Sequence, residues 1–278
     1  MPGRIAALYR HPVKGFTPEQ LGEALLQAGA VFPCDRLYAV ENGPSGYDPA
    51  LPVFLPKTRF TVLSNVPTLA RARTRYDEAS GVLSVEADGF SPLETCLKTG
   101  AGRNAFAAWL TGFIPPDQQN GALRVLVAAG PHRFTDDRAG AVSLINLASV
   151  RDLSAKLGRE IDPLRFRANL YVEGWEPWAE LNLANRAEMQ VGDAVLRVIG
   201  PIMRCAATHV DPTTGERDLD LVPSLHALYG RLTCGIYLRT IWGGRIGEGD
   251  SVRPEGSGLR LPPKPAGEPL IRRLIPRL

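Results

Sequence analysis

Glycine and proline punctuate this chain too often for long helices to form. Together the 28 glycines and 24 prolines make up about 19% of 278 residues, against roughly 12% in an average protein. Both residues interrupt regular backbone, and the segments left between them are mostly four to eight residues long with a β-branched or alternating bias. Short strands joined by many turns are therefore expected.

The pattern along the chain bears this out. Strands are predicted over Ile5 to Tyr9, Val31 to Val40 and Phe60 to Leu63, and Arg71 to Tyr76 with Val82 to Ala87 reads as a hairpin. A helix over Gly102 to Leu110 would share Ala105, Phe106, Trp109 and Leu110 on one face. Around Pro115-Pro116-Asp117-Gln118-Gln119-Asn120 the composition shifts, which divides the chain into residues 1–118 and 119–253. The second part opens with a strand over Leu123 to Ala128. Next comes a helix after Ser149, where Asp152 completes a capping-box pattern and Gly158 provides the stop. Strands follow over Asn169 to Glu173, Glu188 to Val191 and Ala194 to Ile199. Residues 254–278 read as a Pro- and Arg-rich tail that wraps the surface or stays mobile. The fold class is mainly β (α+β): two β-barrel-like domains, the second with peripheral helices.

Charge and cysteine usage narrow the chemistry. Thirty-two basic residues against 29 acidic ones leave +3, too little to argue for nucleic acid or an anionic membrane as partner. No apolar run is long enough to span a bilayer, and the first residues lack the apolar core of a signal peptide, so a cytoplasmic protein is expected. Cys34, Cys96, Cys205 and Cys234 are too scattered for a zinc clip or an iron–sulfur ligand run. Walker A, dinucleotide-binding and G-x-S-x-G patterns are absent in the contexts that would give them meaning.

Cys205 stands out among the four. A strand runs toward it, breaks at Gly200-Pro201 and leaves for the turn Pro212-Thr213-Thr214-Gly215, which would bring the sulfur to a cleft. The adjoining Arg204 would favour the thiolate, the form that attacks electrophiles and binds soft metals; a packed core cysteine is the equally weighted alternative. The other three cysteines read as packing. His209 and Asp211 could form a general-base pair, although a structural hydrogen bond into the turn is the stronger reading. Lys14, Arg36, Arg165 and Arg167 each sit beside a strand end, and converging on one cleft they would form an anion site.

Four separated segments resemble one family. His11-Pro12-Val13-Lys14-Gly15 is similar to the Y-P-V-K-S segment of the MOSC N-terminal β-barrel domain, and Asp35-Arg36-Leu37-Tyr38-Ala39-Val40 to its D-R-x-W/Y-x-V strand. Phe166-Arg167-Ala168-Asn169 resembles the F-R-P-N segment of the MOSC domain, and Arg204-Cys205 with Val210-Asp211-Pro212-Thr213-Thr214-Gly215 its R-C-x-x-T-x-V-D-P-x-T-G signature. Order and spacing match from about residue 4 to residue 253. The first part then corresponds to a MOSC N-terminal β-barrel-like domain and the second to a MOSC β-barrel.

The resemblance implies a molybdenum-cofactor (Mo-molybdopterin) protein related to the mitochondrial amidoxime-reducing component and bacterial reductases of N-hydroxylated compounds. It carries the metal-ligand role to Cys205, and contacts with the pterin and its phosphate to Lys14, Arg36, Arg167, Asn169, Arg204 and Tyr237. Two-electron reduction of an N-hydroxylated small molecule is implied, with the oxygen released as water. No pyridoxal-phosphate domain and no iron–sulfur cluster are expected in this chain. A separate electron donor, a reductase or ferredoxin-like protein, would then be needed. The alternative is a non-catalytic carrier of the cofactor or of sulfur. Five positions depart from the family pattern: Gly15 replaces Ser, Ala139-Gly140 a Thr-Ser pair, Ala168 Pro, and His209 a frequent Thr.

Overall fold

The computed structural model describes residues 2–138 and 140–254; Ala139 and the tail from 255 onward lie outside the described residues. Among the described residues there are fifteen strands and three α-helices. The strands are β1 (Gly3–Arg10), β2 (Glu19–Leu21), β3 (Glu23–Leu26), β4 (Tyr38–Asn42), β5 (Arg73–Tyr76), β6 (Val82–Glu86), β7 (Leu93–Cys96) and β8 (Leu123–Val127). After them come β9 (Val142–Asn146), β10 (Leu170–Glu173), β11 (Glu188–Val191), β12 (Ala194–Met203), β13 (Thr233–Trp242), β14 (Gly244–Gly247) and β15 (Ser251–Pro254). The helices are α1 (Gly100–Phe113), α2 (Leu147–Leu157) and α3 (Leu221–Tyr229). The mainly β expectation holds.

Seven strands close into a barrel in the order β10-β9-β13-β12-β11-β15-β1, with β1 pairing back onto β10. Closure removes the exposed edges that an open sheet of this length would present. Only β9 and β10 run parallel, and α2 makes the crossover between them. The barrel therefore draws its closing strand from the very start of the chain, and β3 pairs with β14 on the same body. Between β3 and β9 the chain forms the three-stranded sheet β5-β6-β7, on which α1 packs, and the pair β4-β8.

Alternation along the barrel strands separates two cores. On β9 and β10, Leu144, Leu170 and Val172 face the interior with Ile5, Met189, Leu196 and Leu238. Ile145 and Tyr171, one residue out of phase, pack outside against Val150 and Leu153 of α2 and Leu221 and Leu225 of α3. Truncating one of the fully buried leucines to Ala would cost about 2–5 kcal/mol. On β13, Gly235 sits at φ +75° and breaks the alternation, so Cys234 joins the outer cluster while Ile236 faces in. A Cβ at Gly235 would lie 2.4 Å from the Leu144 carbonyl oxygen.

Several boundaries differ from the sequence expectation for identifiable reasons. The strand predicted over 31–40 is confined to Tyr38–Asn42, because Cys34 and Arg36 take left-handed backbone at φ 54° and 48°. Around Phe60 a single bridge to Glu41 replaces the expected strand. Helix α2 is capped by Asn146, whose side chain accepts from Ala148 N at 3.0 Å, and not by Ser149. Ser149 lies inside the first turn and donates inward to the buried Glu180 carboxylate at 2.9 Å. In α1 the buried face runs through Gly102, Phe106, Leu110 and Phe113, while Ala105 is exposed. Strand β12 continues past Gly200-Pro201 to Met203 by shifting register against β13 at those residues. Helix α3, which contains Pro223, is not apparent from the sequence pattern.

Candidate functional site

A cavity of about 630 Å³ opens where the barrel meets the N-terminal region, a size typical of small-molecule and cofactor sites. Lys14, Arg36, Arg167, Arg204, Cys205 and Tyr237, six of the seven residues singled out by sequence, line it. Three backbone segments bring them together.

The first is a lacing of residues 11–14 against 35–38. Val13 bridges Tyr38 in parallel, Arg36 N donates to His11 O at 2.7 Å, and Lys14 N donates to Tyr38 O at 2.8 Å. The Lys14 side chain is buried, donates from Nζ to the Phe134 carbonyl at 2.8 Å and pairs with Asp136. Burial pulls its ammonium below the ordinary lysine range, and Asp136 offsets this only in part. Arg36 pairs with the buried Asp35, which also accepts the His11 backbone N–H at 2.7 Å. Next in the segment, Gly15 has φ +89°, and a Cβ there would lie 2.4 Å from the Thr61 carbonyl oxygen. The hydroxyl-bearing residue common in the resembling motif would not fit.

The second segment is the turn Pro163–Phe166. Asp162 caps it by accepting from Leu164 N at 2.8 Å, and Pro163 takes the first position, where a missing N–H costs nothing. Arg167 then leaves in left-handed backbone at φ 51°, and its carbonyl accepts from Arg36 Nη2 at 3.2 Å. No hydrogen bond to the Arg167 guanidinium is found among the described residues. Burial, followed by repulsion from Arg36, depresses its pKa to about 10. Two residues upstream, Arg165 instead pairs with Asp211 at 3.1 Å and Asp218 at 2.8 Å.

The third segment is the end of β12. Arg204 N donates to Leu232 O, and Cys205 starts a short turn in which Thr208 N and Oγ1 both bond its carbonyl. The Cys205 thiol is partly exposed into the cavity. The Arg204 guanidinium points away to protein carbonyls, donating to Cys234 O at 2.7 Å and Phe166 O at 2.8 Å over the Phe166 ring. It braces the pocket wall. Lys57, which the sequence reading missed, also lines the cavity; burial acts to lower its pKa, and the nearby anion-forming groups, Cys205 and Asp136, act to raise it, with a net rise. Lys57 lies in a Pro-rich loop with no motif around it, so no sequence signal was available.

Asn169 does not line the cavity. It is buried, with Oδ1 accepting from Ser143 N and Oγ at 3.1 and 2.9 Å and Nδ2 donating to Tyr9 O at 3.1 Å. It ties β1 to β9 behind the pocket. His209 and Asp211 do not form a dyad. His209 Nε2 accepts from Val222 N at 3.2 Å, while Asp211 accepts from Thr213 and Thr214 N at 2.9 and 2.8 Å and pairs with Arg165. Both roles are structural, as a hydrogen bond into the turn requires.

Among the described residues no helix is long and apolar enough to cross a membrane. Comparison with known proteins places the site in context. The MOSC N-terminal beta barrel domain matches residues 2–122 and the MOSC domain matches residues 129–253. A stretch of 121 residues, 39% of this chain and 35% of the relative, is 33% identical to mitochondrial amidoxime-reducing component 1 of Mus musculus. A stretch of 135 residues, 47% of this chain and 18% of the relative, is 33% identical to molybdenum cofactor sulfurase of Caenorhabditis elegans. The matched stretches thus span only a minor part of these curated relatives. Among solved structures, the YUAD protein of Bacillus subtilis aligns over 91% of this chain and 96% of its own, at 14% identity and a TM-score of 0.43. Both matched segments, Lys14 and Arg36 in the first and Arg167 and Cys205 in the second, meet in the one cavity. The chain belongs to the MOSC family and carries a MOSC N-terminal β-barrel domain ahead of its MOSC domain.

Proposed function

We propose that this protein is a molybdenum-cofactor-binding oxidoreductase that reduces N-hydroxylated small molecules with electrons from a separate donor protein. One observation carries the reading: a half-buried guanidinium with no hydrogen-bond partner among the described residues, Arg167, held beside Arg36 in a cavity that also exposes a thiol. A partly desolvated, unpartnered guanidinium facing a cavity is a ready anion-binding group, and a phosphate offers the bidentate acceptor that would engage it. Lys14 adds a third positive charge to the same wall. These residues fit the phosphate of a pterin cofactor, and the Cys205 thiol is the soft ligand the metal requires.

The cofactor, when bound, supplies the two-electron redox chemistry. The chain's own residues divide the remaining work. Arg36 and Arg167 hold the phosphate, with Arg36 fixed through Asp35 and the Arg167 carbonyl. Arg204 and Asn169 brace the wall segments, and Cys205 is presented by the turn that follows β12. Overall, the substrate's N–O bond is broken, two electrons and two protons are taken up, and the oxygen leaves as water. The electrons come from the donor protein. The molybdenum cofactor sulfurases among the relatives favour a second reading, a carrier that binds the same group without turnover.

The deciding assay supplies benzamidoxime and reduced methyl viologen to protein made in a host that synthesises the cofactor. Benzamidine should form with wild type and not with Cys205→Ala. Cofactor-loaded protein that forms no benzamidine would favour the carrier. Turnover with NADH alone would overturn the need for a separate donor.

A further inference from the structure

The cations that line the cavity differ in what holds them. Arg36 is paired with Asp35, whose side chain is 3% exposed and also accepts the His11 backbone N–H, so that carboxylate is fixed. Arg165 is paired with Asp211 and Asp218, and Arg204 is bound by carbonyls. Lys14 is held differently. Of its three N–H donors, one goes to the Phe134 carbonyl at 2.8 Å and another to Asp136, which itself lines the cavity. In that pair the lysine side chain is 7% exposed and the aspartate side chain 51%.

The two partners of Lys14 are themselves anchored unequally. Phe134 is buried against Tyr47 and Phe60, and its N–H donates to Arg36 O at 3.0 Å, which fixes the carbonyl that holds the ammonium. Asp136 lies two residues on, between β8 and β9, outside the helices and strands of the described residues. There Thr135 Oγ1 donates to Asp137 O at 2.6 Å and Gly140 N donates to the same carbonyl at 3.2 Å, a turn closed by its own residues. Lys14 therefore keeps its place through Phe134 without Asp136. The carboxylate, already half in water, can leave by rotation of its own side chain.

We infer that Asp136 is an internal stand-in for the cofactor's phosphate: its carboxylate holds the Lys14 ammonium in the cofactor-free chain and is displaced when a phosphate monoester enters. This rests on the phosphate-binding part of the proposed function. The exchange is favourable because a phosphate monoester carries about −1.5 to −2 at neutral pH and three acceptor oxygens, against one charge and two oxygens on a carboxylate. Lys14, Arg36 and Arg167 line the same cavity, so a phosphate there meets more than one cation. The displaced carboxylate regains its water, and the buried ammonium has an anion beside it before and after. Asp136 thus sets the affinity with which the site takes phosphate.

Calorimetric titration of methyl phosphate into full-length protein from a host lacking the cofactor tests the exchange. Asp136→Asn should bind methyl phosphate roughly fivefold tighter than wild type, the factor that the attraction between two unit charges about 4 Å apart in water is worth. The amide still accepts from Lys14, but without the charge that strengthens the bond. In a Lys14→Met background no pair is left to break, so Asp136→Asn should bring almost no gain there. A gain that persists undiminished in that background would make Asp136 a general repeller of anions and overturn the exchange. Lys14→Gln supplies the same comparison if the Met variant does not fold. Binding detected in Asp136→Asn and not in wild type would support the inference in its strongest form. Asp136→Asn binding no tighter than wild type would overturn the inference and leave the phosphate site standing. Binding to neither protein would overturn the phosphate reading and the inference with it.

Discussion

Replacing Arg167 with Met should stabilise the cofactor-free protein while abolishing its response to phosphate. The Arg167 pKa falls from the ordinary arginine range to about 10, through burial first and the charge of Arg36 second. At about 1.4 kcal/mol per tenfold change, that corresponds to roughly 3 kcal/mol, and water entering the pocket screens part of it, leaving ~1.5–3 kcal/mol. The sign follows from linkage. A base whose pKa is lower in the folded state than in the unfolded state binds fewer protons when folded. The destabilisation is therefore fully present below pH 10 and vanishes only as pH rises toward the ordinary arginine range. At neutral pH Arg167→Met removes it. With a Tm shift of about 2–4 °C per kcal/mol in this size range, the variant should melt at least ~3 °C higher. Inorganic phosphate at about a hundred times its Kd would stabilise wild type by roughly 2.7 kcal/mol and leave the variant unmoved. Calorimetric melts of both proteins with and without phosphate provide the assay. A variant that melts below wild type, with phosphate raising both equally, would refute the reasoning that Arg167 is a cation awaiting an anion.

Two further outcomes test the surroundings. Gly15→Ser should cost roughly 2–4 kcal/mol in urea unfolding, from positive-φ strain and from contact with the Thr61 carbonyl, whereas equal stability would show that the segment adapts. Burial, then Arg36 and Arg167, push His11 down to about 3, so between pH 6.5 and 3 the unfolded chain takes up a proton that the folded chain refuses. Stability is thus complete above pH 6.5 and lost on acidification. Wild type should lose about 2 kcal/mol more than His11→Asn between pH 7.5 and 5, and equal losses would contradict a buried neutral imidazole.

The site was legible where chemistry and backbone coincide in a short stretch. Cys205 follows a strand and precedes a Pro-Thr-Thr-Gly turn, and Arg167 follows a capped Pro turn, so local sequence already carries the presentation of both side chains. Lys57 was not legible, because its place in the cavity wall comes from long-range packing of Phe60 and from the Thr61–Val40 bond. Arg204 was read as the cation at the thiol, but the carbonyls of Cys234 and Phe166 capture it first. Asn169 matched the motif yet serves the barrel wall, since Ser143 and Tyr9 use its amide. The fold divides the same way. Local pattern marks β10, β11 and β12 correctly as strands, but β9 and β13 are not apparent from it, and the closing of the barrel by β1 is a contact between distant parts of the chain that no local pattern contains.

The central claim is that Cys205 and the Arg36–Arg167 wall together hold a molybdenum cofactor. Its most direct test is the molybdenum and pterin content of wild type, Cys205→Ser and Arg167→Met purified from a host competent in cofactor synthesis. Wild type should contain close to one molybdenum and one pterin per chain. Molybdenum should fall in Cys205→Ser, and both metal and pterin should fall in Arg167→Met. Wild-type protein with neither molybdenum nor pterin would contradict the account.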